Sequence, residues 1–381
     1  MISKLFLILI CGLPFGHFLF KQPDLWHGQG HFFQVGLLII FGLSFFEKPR
    51  PVQTLNKPLG AFTLWAGLTT SYLWITTLSK TGQYPIKVLM TFFNVLCFLL
   101  FYKLVIEYLD EEKIKKILVW LRYTIIIVLF YCVLQYFRLD EFLKGLSSHD
   151  ELVGTIGNTS HLAGYLAIVQ PIFFYKRGII PLILLWLVIL LTGSASGVFV
   201  GFGVIVFWLL LKKKYKFVTI VIITGLAISL FMLHLFPRFL NSENRFEMWK
   251  AVFNIFKDKA LTGYGLGSFG VMKIQLLPEI SVWRHAHNEF YQIAFETGVI
   301  GLGLVFWCIC EYFKAGLKLL KSNTCIILIT MFFGVCLLSL FSFPLHLWQI
   351  SVIGMLAYSS IFCIKNYNSL YKNEGSYDDA E

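Results

Sequence analysis

The sequence predicts an all-α polytopic membrane protein with about twelve transmembrane helices. Of its 381 residues, 57% are apolar and only 14% are charged, whereas about a quarter of the residues of a soluble domain are charged. Apolar runs close to the ~20 residues that cross a bilayer recur from end to end. These runs lack the alternation of barrel strands, and unpaired backbone groups cannot face lipid, so the predicted spans are helices.

The predicted helices follow the apolar runs in chain order. They form a single transmembrane domain over 1–366. The polar tail that follows, at 367–381, is predicted to be disordered and cytoplasmic. A segment of about fifty residues, 237–290, separates the ninth and tenth helices and is long enough to hold structure of its own. The predicted helices are 2–20, 31–46, 59–79, 85–109, 117–137, 161–175, 178–193, 195–211, 217–236, 288–313, 324–343 and 345–364.

Basic residues cluster in alternate loops, which predicts the orientation. Both termini are expected in the cytoplasm and 237–290 outside. The net charge of +11 is therefore interpreted as a signal for membrane topology rather than a nucleic-acid surface. The eight cysteines lie inside predicted spans without CxxC spacing, which favours apolar core positions over disulfides or a metal cluster. The predicted inner cations are Lys4, Lys48, Arg50, Lys57, Lys103, Lys113, Lys115, Lys116, Lys176, Arg177, Lys212, Lys213, Lys214, Lys216, Lys314, Lys318, Lys321 and Lys365.

The large outer loop contains a predicted amphipathic helix at about 245–257, lying on the membrane surface or capping the bundle. The stretch LTGYGLGSF at 261–269 is predicted to be an irregular turn. Its GxGxG spacing does not indicate a nucleotide loop, because no strand precedes it. The residues that recur at helical spacing in the amphipathic segment are Phe246, Trp249, Val252, Phe253 and Phe256.

The run RHAHNEFYQIAFETGVIGLG places Arg284 and His287 at the mouth of an apolar helix. His287 and Gly298 are eleven residues apart, about three helical turns, and are expected to share one face. Gly298 and Gly301 would let another backbone approach closely. An imidazole can accept a proton from a hydroxyl, and guanidinium groups such as Arg245 and Arg284 bind phosphate. The combination fits group transfer from a phosphate-activated lipid donor.

Structural interpretations remain open for the same residues. Arg245 can be a solvated residue of a surface helix, and Arg284 an anchor at the phospholipid headgroups. Asn158 is predicted to cap a helix, and His161 and His346 to be interfacial residues.

Glu296 is a carboxylate within a predicted span. It is interpreted as a structural hydrogen-bonding group on roughly the opposite face from His287. His285 and His287, two residues apart, would point about 200° apart on a helix and are not expected to be a metal pair. No DxD motif occurs in the outer loops, so a mechanism without metal or cofactor is expected, with arginine as the electrostatic stabiliser.

The pattern His-Asn-x9-Gly-x-x-Gly resembles the signature of the bacterial O-antigen ligase/polymerase superfamily. GTIGNTSHLAGYLA at 154–167, LTGSASG at 191–197, NRFEMWKAVFNIFKDKALTGYGLGSF at 244–269 and FPLH at 343–346 occur in the same order as similar segments of that family. The resemblance covers about 150–350. It implies a GT-C-like bundle in the bacterial inner membrane, with a periplasmic active site and an undecaprenyl-diphosphate-linked glycan as donor.

The resemblance also implies residue roles. His287 would be the catalytic base on the acceptor hydroxyl, and Arg245 would bind the donor diphosphate. The family usually has Ser-Arg in the turn that here holds Ala195, so Arg284 is hypothesised to replace that arginine at the diphosphate. The supporting residues are Asn288, Gly298, Gly301, Trp249 and Asn158.

Four functions are compatible with these features. The first is an inverting ligase that moves the glycan onto an acceptor such as the lipid A core, in lipopolysaccharide biosynthesis. The second is a polymerase that joins repeat units, and the third is a protein O-oligosaccharyltransferase. The fourth is a lipid-linked sugar transporter, but transporters tend to show internal repeats and midplane charges. The expected partners are membrane lipids, the donor and the acceptor; the oligomeric state stays open.

Overall fold

The computed structural model describes residues 1–16, 25–50, 56–78, 85–139, 151–174, 178–235, 243–270 and 285–374. Thirteen α-helices occur in these residues, and no strand occurs among them. Twelve of the helices correspond to the twelve predicted ones, and α10 lies in the predicted outer loop. The helices are α1 Ile2–Gly12, α2 Leu25–Ser44, α3 Lys57–Leu78, α4 Pro85–Tyr108, α5 Glu111–Tyr136, α6 Thr159–Val169, α7 Ile179–Leu191, α8 Ala195–Leu211, α9 Tyr215–Leu235, α10 Glu243–Phe256, α11 Glu289–Leu317, α12 Asn323–Leu338 and α13 Trp348–Glu374.

Four helical stretches in the described residues are long and apolar enough to cross a membrane. Together with six shorter apolar helices, they make this a helical, multi-pass membrane protein, as the composition predicts. The number of twelve spans stays a prediction. The four long stretches are Val88–Tyr108, Glu111–Tyr136, Glu289–Leu317 and Trp348–Ser369.

Several helices extend past their predicted ends, among them α5 and α13. α5 begins at Glu111, six residues before the predicted start, because Asp110 caps it: the Asp110 carboxylate accepts from the Lys113 N–H at 2.8 Å. α13 continues to Glu374, so 367–374, predicted to be disordered, are helical. No Pro or Gly follows Ile364 before Gly375, and each residue added to an existing helix gains one hydrogen bond. Residues 375–381 lie outside the described residues.

The centre of the bundle is α6, whose residues from Leu162 to Val169 are all buried. Glycines allow its neighbours to approach closely. A Cβ on Gly197 of α8 would lie 2.3 Å from the Cβ of Ala163. A Cβ on Gly164 would lie 2.8 Å from a methyl carbon of Leu338 in α12. The close packing of α6 between α8 and α12 fixes the position of its N-terminus, where His161 lies.

The described loops gather at two ends of the bundle. At one end, Arg50 pairs with Asp110 at 3.1 Å, and Lys212 donates to Asn323 at 2.6 Å. We call this the ion-pair end. The other end holds 151–158, α10, the 260–270 loop, 285–288 and 339–347, and we call it the histidine end. Described loops with predicted inner cations, such as those of Arg50 and Lys212, thus lie at one end, while the side of the membrane that each end faces stays a prediction.

Candidate active site

At the histidine end, α11 is broken at Gly298, where φ is 72° and ψ is −179°. The break frees backbone groups that the loop after α10 satisfies. The carbonyls of Phe295 and Glu296 accept from the N–H groups of Tyr264 and Gly265, at 3.0 and 2.7 Å. The N–H of Val299 donates to the Ala260 carbonyl at 2.8 Å. The loop therefore replaces the hydrogen bonds that a continuous helix would make.

This break corrects the expected geometry of the His-Asn-x9-Gly-x-x-Gly pattern. His287 precedes α11 and has φ of 52°, so it does not share a helix face with Gly298. Gly298 does permit a close approach, but of the 261–262 backbone rather than of another helix. A Cβ there would lie 2.0 Å from the Leu261 carbonyl oxygen. Gly301 lies against α3, where a Cβ would be 3.3 Å from the Trp65 ring.

The GxGxG stretch is the partner of this break. Gly263, Gly265 and Gly267 have φ values of 68°, 91° and 74°, which only glycine adopts readily. The N–H of Gly267 donates to Glu296 Oε2 at 2.9 Å. Glu296 is buried and also accepts from the Gln292 amide at 3.1 Å, so it is a structural hydrogen-bonding group. Its expected position opposite His287 on one helix does not apply, because His287 lies outside α11.

α10 lies over this end of the bundle, where the sequence predicts an amphipathic helix. Its Met248 and Val252 are buried, whereas Phe246 and Phe253 are exposed. The Trp249 indole N–H donates to the Ala286 carbonyl at 2.7 Å. The inner face of α10 is therefore joined to the loop that carries His287. Its buried residues pack in a cluster that consists of Met248, Val252, Tyr264, Phe269, Ala286 and Phe295.

His287 and Arg245 lie close enough to interact electrostatically, although 42 positions separate them in the chain. Burial, the larger cause, and the positive charge of Arg245 together lower the pKa of His287 to about 4. Partial burial also lowers the pKa of Arg245, whose side chain is half-buried. The imidazole is consequently neutral near pH 7 and can accept a proton.

Three imidazoles surround the ring of Phe343, in the segment between α12 and α13. The ring of His285 stacks on it at 4.2 Å, and those of His287 and His161 meet it edge-on at 5.1 and 5.4 Å. His346 lies 4.7 Å from the His285 ring. His161 and His346 lie at the same Phe343 ring as the candidate base, while their predicted position at the membrane interface stays a prediction. In the part of the chain that the structure describes, no group of three His, Cys, Asp or Glu side chains could hold a metal.

A buried polar network lies beside these rings. Glu289 Oε1 is 3.2 Å from His346 Nδ1, and Glu289 Oε2 accepts from the Leu345 N–H at 3.0 Å. Gln292 links His346 to Glu296. The sequence reading missed this network, yet Glu289, Gln292 and Glu296 follow one another at spacings of three and four. In an apolar helix, that spacing indicates one polar face.

The network lines one end of an apolar cavity of about 310 Å³ between α3, α4, α11, α12 and α13. Its walls include Phe62, Phe98, Phe332 and Tyr358. His287 is not among the lining residues, so the cavity lies next to the candidate base rather than around it.

The remaining predicted site residues have structural contacts. Asn158 caps α6 by accepting from the His161 N–H at 3.2 Å. Asn288 caps α11 by accepting from the Tyr291 N–H at 3.0 Å, and its amide donates to the Leu340 carbonyl. Ala195 is the first residue of α8. This helix packs on α6 at Ala163, two residues after His161. Arg284 lies outside the described residues.

A protein-family model matches part of this chain. Residues 180–306 match the O-antigen ligase family model, and that stretch includes Arg245, His287 and Gly298. Over this stretch the chain is similar to O-antigen ligases. The resemblance noted from the sequence is thereby confirmed.

Two curated relatives, each named "Putative polysaccharide ligase", agree with this family. The one from Rickettsia conorii is 28% identical over 198 residues, which are 46% of this chain and 48% of the relative. The one from Rickettsia felis is 27% identical over 198 residues, with the same coverage. The match spans about half the length of each relative.

Proposed function

We propose that this O-antigen ligase-like chain is a glycosyltransferase that moves an undecaprenyl-diphosphate-linked glycan onto an acceptor hydroxyl, such as one of the lipid A core. The observation that carries the proposal is the neutral imidazole of His287 beside the guanidinium of Arg245. A base for the acceptor and a cation for the departing diphosphate are the two groups that this displacement needs.

In the proposed step, the acceptor oxygen attacks the anomeric carbon while its proton passes to His287. The bond between that carbon and the diphosphate oxygen breaks, and the diphosphate leaves with the electron pair on its lipid carrier. Arg245 stabilises the negative charge through paired hydrogen bonds. A single displacement of this kind inverts the anomeric configuration. Arg284 is proposed as the second cation. It would take the place of the arginine that the family usually has where this chain has Ala195.

The surroundings support this assignment. An apolar cavity beside the polar network has walls suited to a segment of a polyprenyl chain. The proposed location is the inner membrane of a bacterium, with both termini in the cytoplasm and the histidine end in the periplasm. The proposed partners are membrane lipids, the lipid-linked donor and the acceptor.

The test is incubation of the purified protein with a polyprenyl-diphosphate oligosaccharide, with and without lipid A core, followed by gel analysis. A single shift that requires the acceptor and is absent in His287→Ala supports the ligase. A ladder from donor alone identifies a polymerase. Product formation that His287→Ala leaves unchanged rejects the base, and donor translocation without product favours a transporter. His31→Ala, at an exposed histidine on α2, is the matched control.

A further inference from the structure

Gln292 occupies a central position in the polar network. Its side chain is 3% exposed, in the first turn of α11. Its Oε1 accepts from the Ala286 N–H at 3.1 Å. Its Nε2 lies 3.1 Å from Glu296 Oε1 and 3.2 Å from His346 Nε2. Because Ala286 immediately precedes His287, the amide of Gln292 holds the turn that carries the imidazole.

The neighbours of Gln292 determine which way its amide points. The Ala286 N–H can only donate, so it must face the amide oxygen. The carboxylate of Glu296 accepts, so it must face the amide nitrogen. Both neighbours therefore require the same orientation. The amide nitrogen, a donor, then also faces Nε2 of His346.

This orientation determines the protonation of His346. Its Nε2 must present a lone pair to Gln292, so the proton of the neutral ring lies on Nδ1, which is 3.2 Å from Glu289 Oε1. Glu289 is held in turn by the Leu345 N–H. If His346 gained a second proton, two donors would meet at Nε2. The amide of Gln292 would have to turn over, and its bonds to Ala286 and Glu296 would be lost.

We propose that Gln292 is a positioning residue that holds His287 through the Ala286 N–H, and that it does so only while His346 is neutral. This inference rests on the proposed function, in which His287 accepts the proton of the acceptor. Protonation of His346 then switches transfer off by moving the base, before the base itself is protonated.

The charges around His346 favour such a switch. Among the described residues, Glu289 and Glu296 of α11 and His285 of the loop face its ring, and His287 lies across Phe343. Burial lowers the pKa of His346, but the negative charge of Glu289, 3.2 Å from Nδ1, and that of Glu296 outweigh burial and raise the pKa above the usual histidine value. That of His287 is about 4. As the pH falls, His346 is protonated first.

The decisive measurement is the pH profile of kcat for the wild type and His346→Gln, between about pH 4 and pH 8. A glutamine at 346 can accept from Gln292 and donate to Glu289, but it does not titrate. We expect the wild type to lose activity as the pH falls through the raised pKa of His346, and His346→Gln to stay active until about pH 4, where His287 is protonated. Identical acid limbs in the two proteins would overturn the proposal.

A second variant tests the amide directly. Gln292→Met keeps the volume but removes the polar contacts, and we expect kcat to fall about 100-fold with an unchanged donor KM, as for a small misplacement of a reacting group. The matched control is Gln170→Met, which removes a buried glutamine bonded to the Gly201 carbonyl and the Trp186 indole. Its kcat should stay near the wild-type value. Wild-type kcat in Gln292→Met contradicts the positioning role.

His287→Ala separates this inference from the proposed function. An inactive His287→Ala together with an unshifted profile in His346→Gln rejects only the positioning role. An active His287→Ala rejects the base, and the inference fails with it.

Discussion

The ion-pair end and the histidine end are stabilised by different kinds of interaction. At the ion-pair end, Arg50 and Asp110 pair while each is about a quarter exposed, at 24% and 26%. Lys116 and Glu112 pair with both side chains largely in solvent. Exposed pairs of this kind typically contribute ~0–1 kcal/mol each. These pairs therefore fix no side chain precisely, although the buried Tyr108 hydroxyl at this end donates to the Ser44 carbonyl at 3.0 Å.

At the histidine end, buried side chains bond to backbone groups of other segments. Three side-chain oxygens accept hydrogen bonds from backbone N–H groups: Glu296 from Gly267, Glu289 from Leu345, and Gln292 from Ala286. A buried polar group that loses its partner costs roughly 1–3 kcal/mol, more when it is charged. The irregular backbone around His287 is thus fixed by interactions that tolerate little change. This comparison predicts that substitutions at the histidine end have large effects and those at the ion-pair end small ones.

The largest expected effect on transfer is that of His287→Ala. Removing a general base lowers a rate typically by 10² to 10⁴-fold. At a pH where His346 is neutral the wild type should be fully active, because the pKa of His287 is about 4 and its ring is then neutral as well. Turnover is measured with donor and acceptor in detergent, and an unchanged elution volume in size-exclusion chromatography shows that the variant is folded. A loss below tenfold would assign the proton transfer to another group.

Arg245→Ala should have the next largest effect. Loss of one preorganised donor at a developing negative charge lowers kcat by about 10² to 10³-fold. Arg245→Lys should recover only part of this loss of kcat, because lysine lacks the paired donors of guanidinium.

Arg245→Ala also supplies a second readout, the pH dependence of transfer. Without the charge of Arg245, the pKa of His287 should rise, and the acid limb of His346→Gln should move upward when Arg245→Ala is added. An unmoved limb would show that the two side chains are not electrostatically coupled.

Gly298→Ala tests the break in α11. Backbone at φ 72° and ψ −179° is almost exclusive to glycine, and forcing another residue there costs of order 1–3 kcal/mol. A Cβ would also lie 2.0 Å from the Leu261 carbonyl oxygen. We expect a lower thermal inactivation midpoint and reduced transfer. The control is Gly303→Ala in the same helix, where a Cβ meets nothing within 4 Å. Equal midpoints for the two variants would contradict a structural need for the break.

The break also shows where sequence reasoning ends. The twelve apolar helices and the helix of the outer loop follow from local patterns, since apolar length and helical spacing are properties of a single segment. The run IAFETGVIGLG continues the apolar pattern through Gly298, and nothing local marks an interruption. The bond between the Gly265 N–H and the Glu296 carbonyl joins residues 31 positions apart, and such pairing depends on the folded chain.

The candidate site divides in the same way. The motif drew attention to His287 and Arg245, and the structure brings them together; their catalytic roles stay predictions. The ring of Phe343 between three imidazoles could not be predicted, because His161 is distant in the sequence from the turn that carries His285 and His287. The spacing of Glu289, Gln292 and Glu296 was readable, but only the fold shows that His346 completes their network.

The smallest effect is expected at the ion-pair end, for Asp110→Asn. Asparagine can still cap α5, so the variant removes only the charge that faces Arg50 and Lys113. Burial raises the pKa of Asp110, but the hydrogen bonds and charges of Lys113, with the charge of Arg50, outweigh it and lower the pKa. The stabilisation is therefore fully present above the unfolded value of about 4 and is lost as the pH falls through the lower folded value.

At pH 7, Asp110→Asn should thus lower the free energy of unfolding by ~0–1 kcal/mol and leave transfer unchanged. Its inactivation midpoint should approach that of the wild type in acid. Glu112→Gln, which removes a more exposed partner of Lys116, is the control and should have no larger effect. If Asp110→Asn lowered the midpoint as far as Gly298→Ala does, the two ends would be equally demanding. The ion-pair end would then belong to the fixed framework of the protein, because only a pair held in one geometry contributes that much.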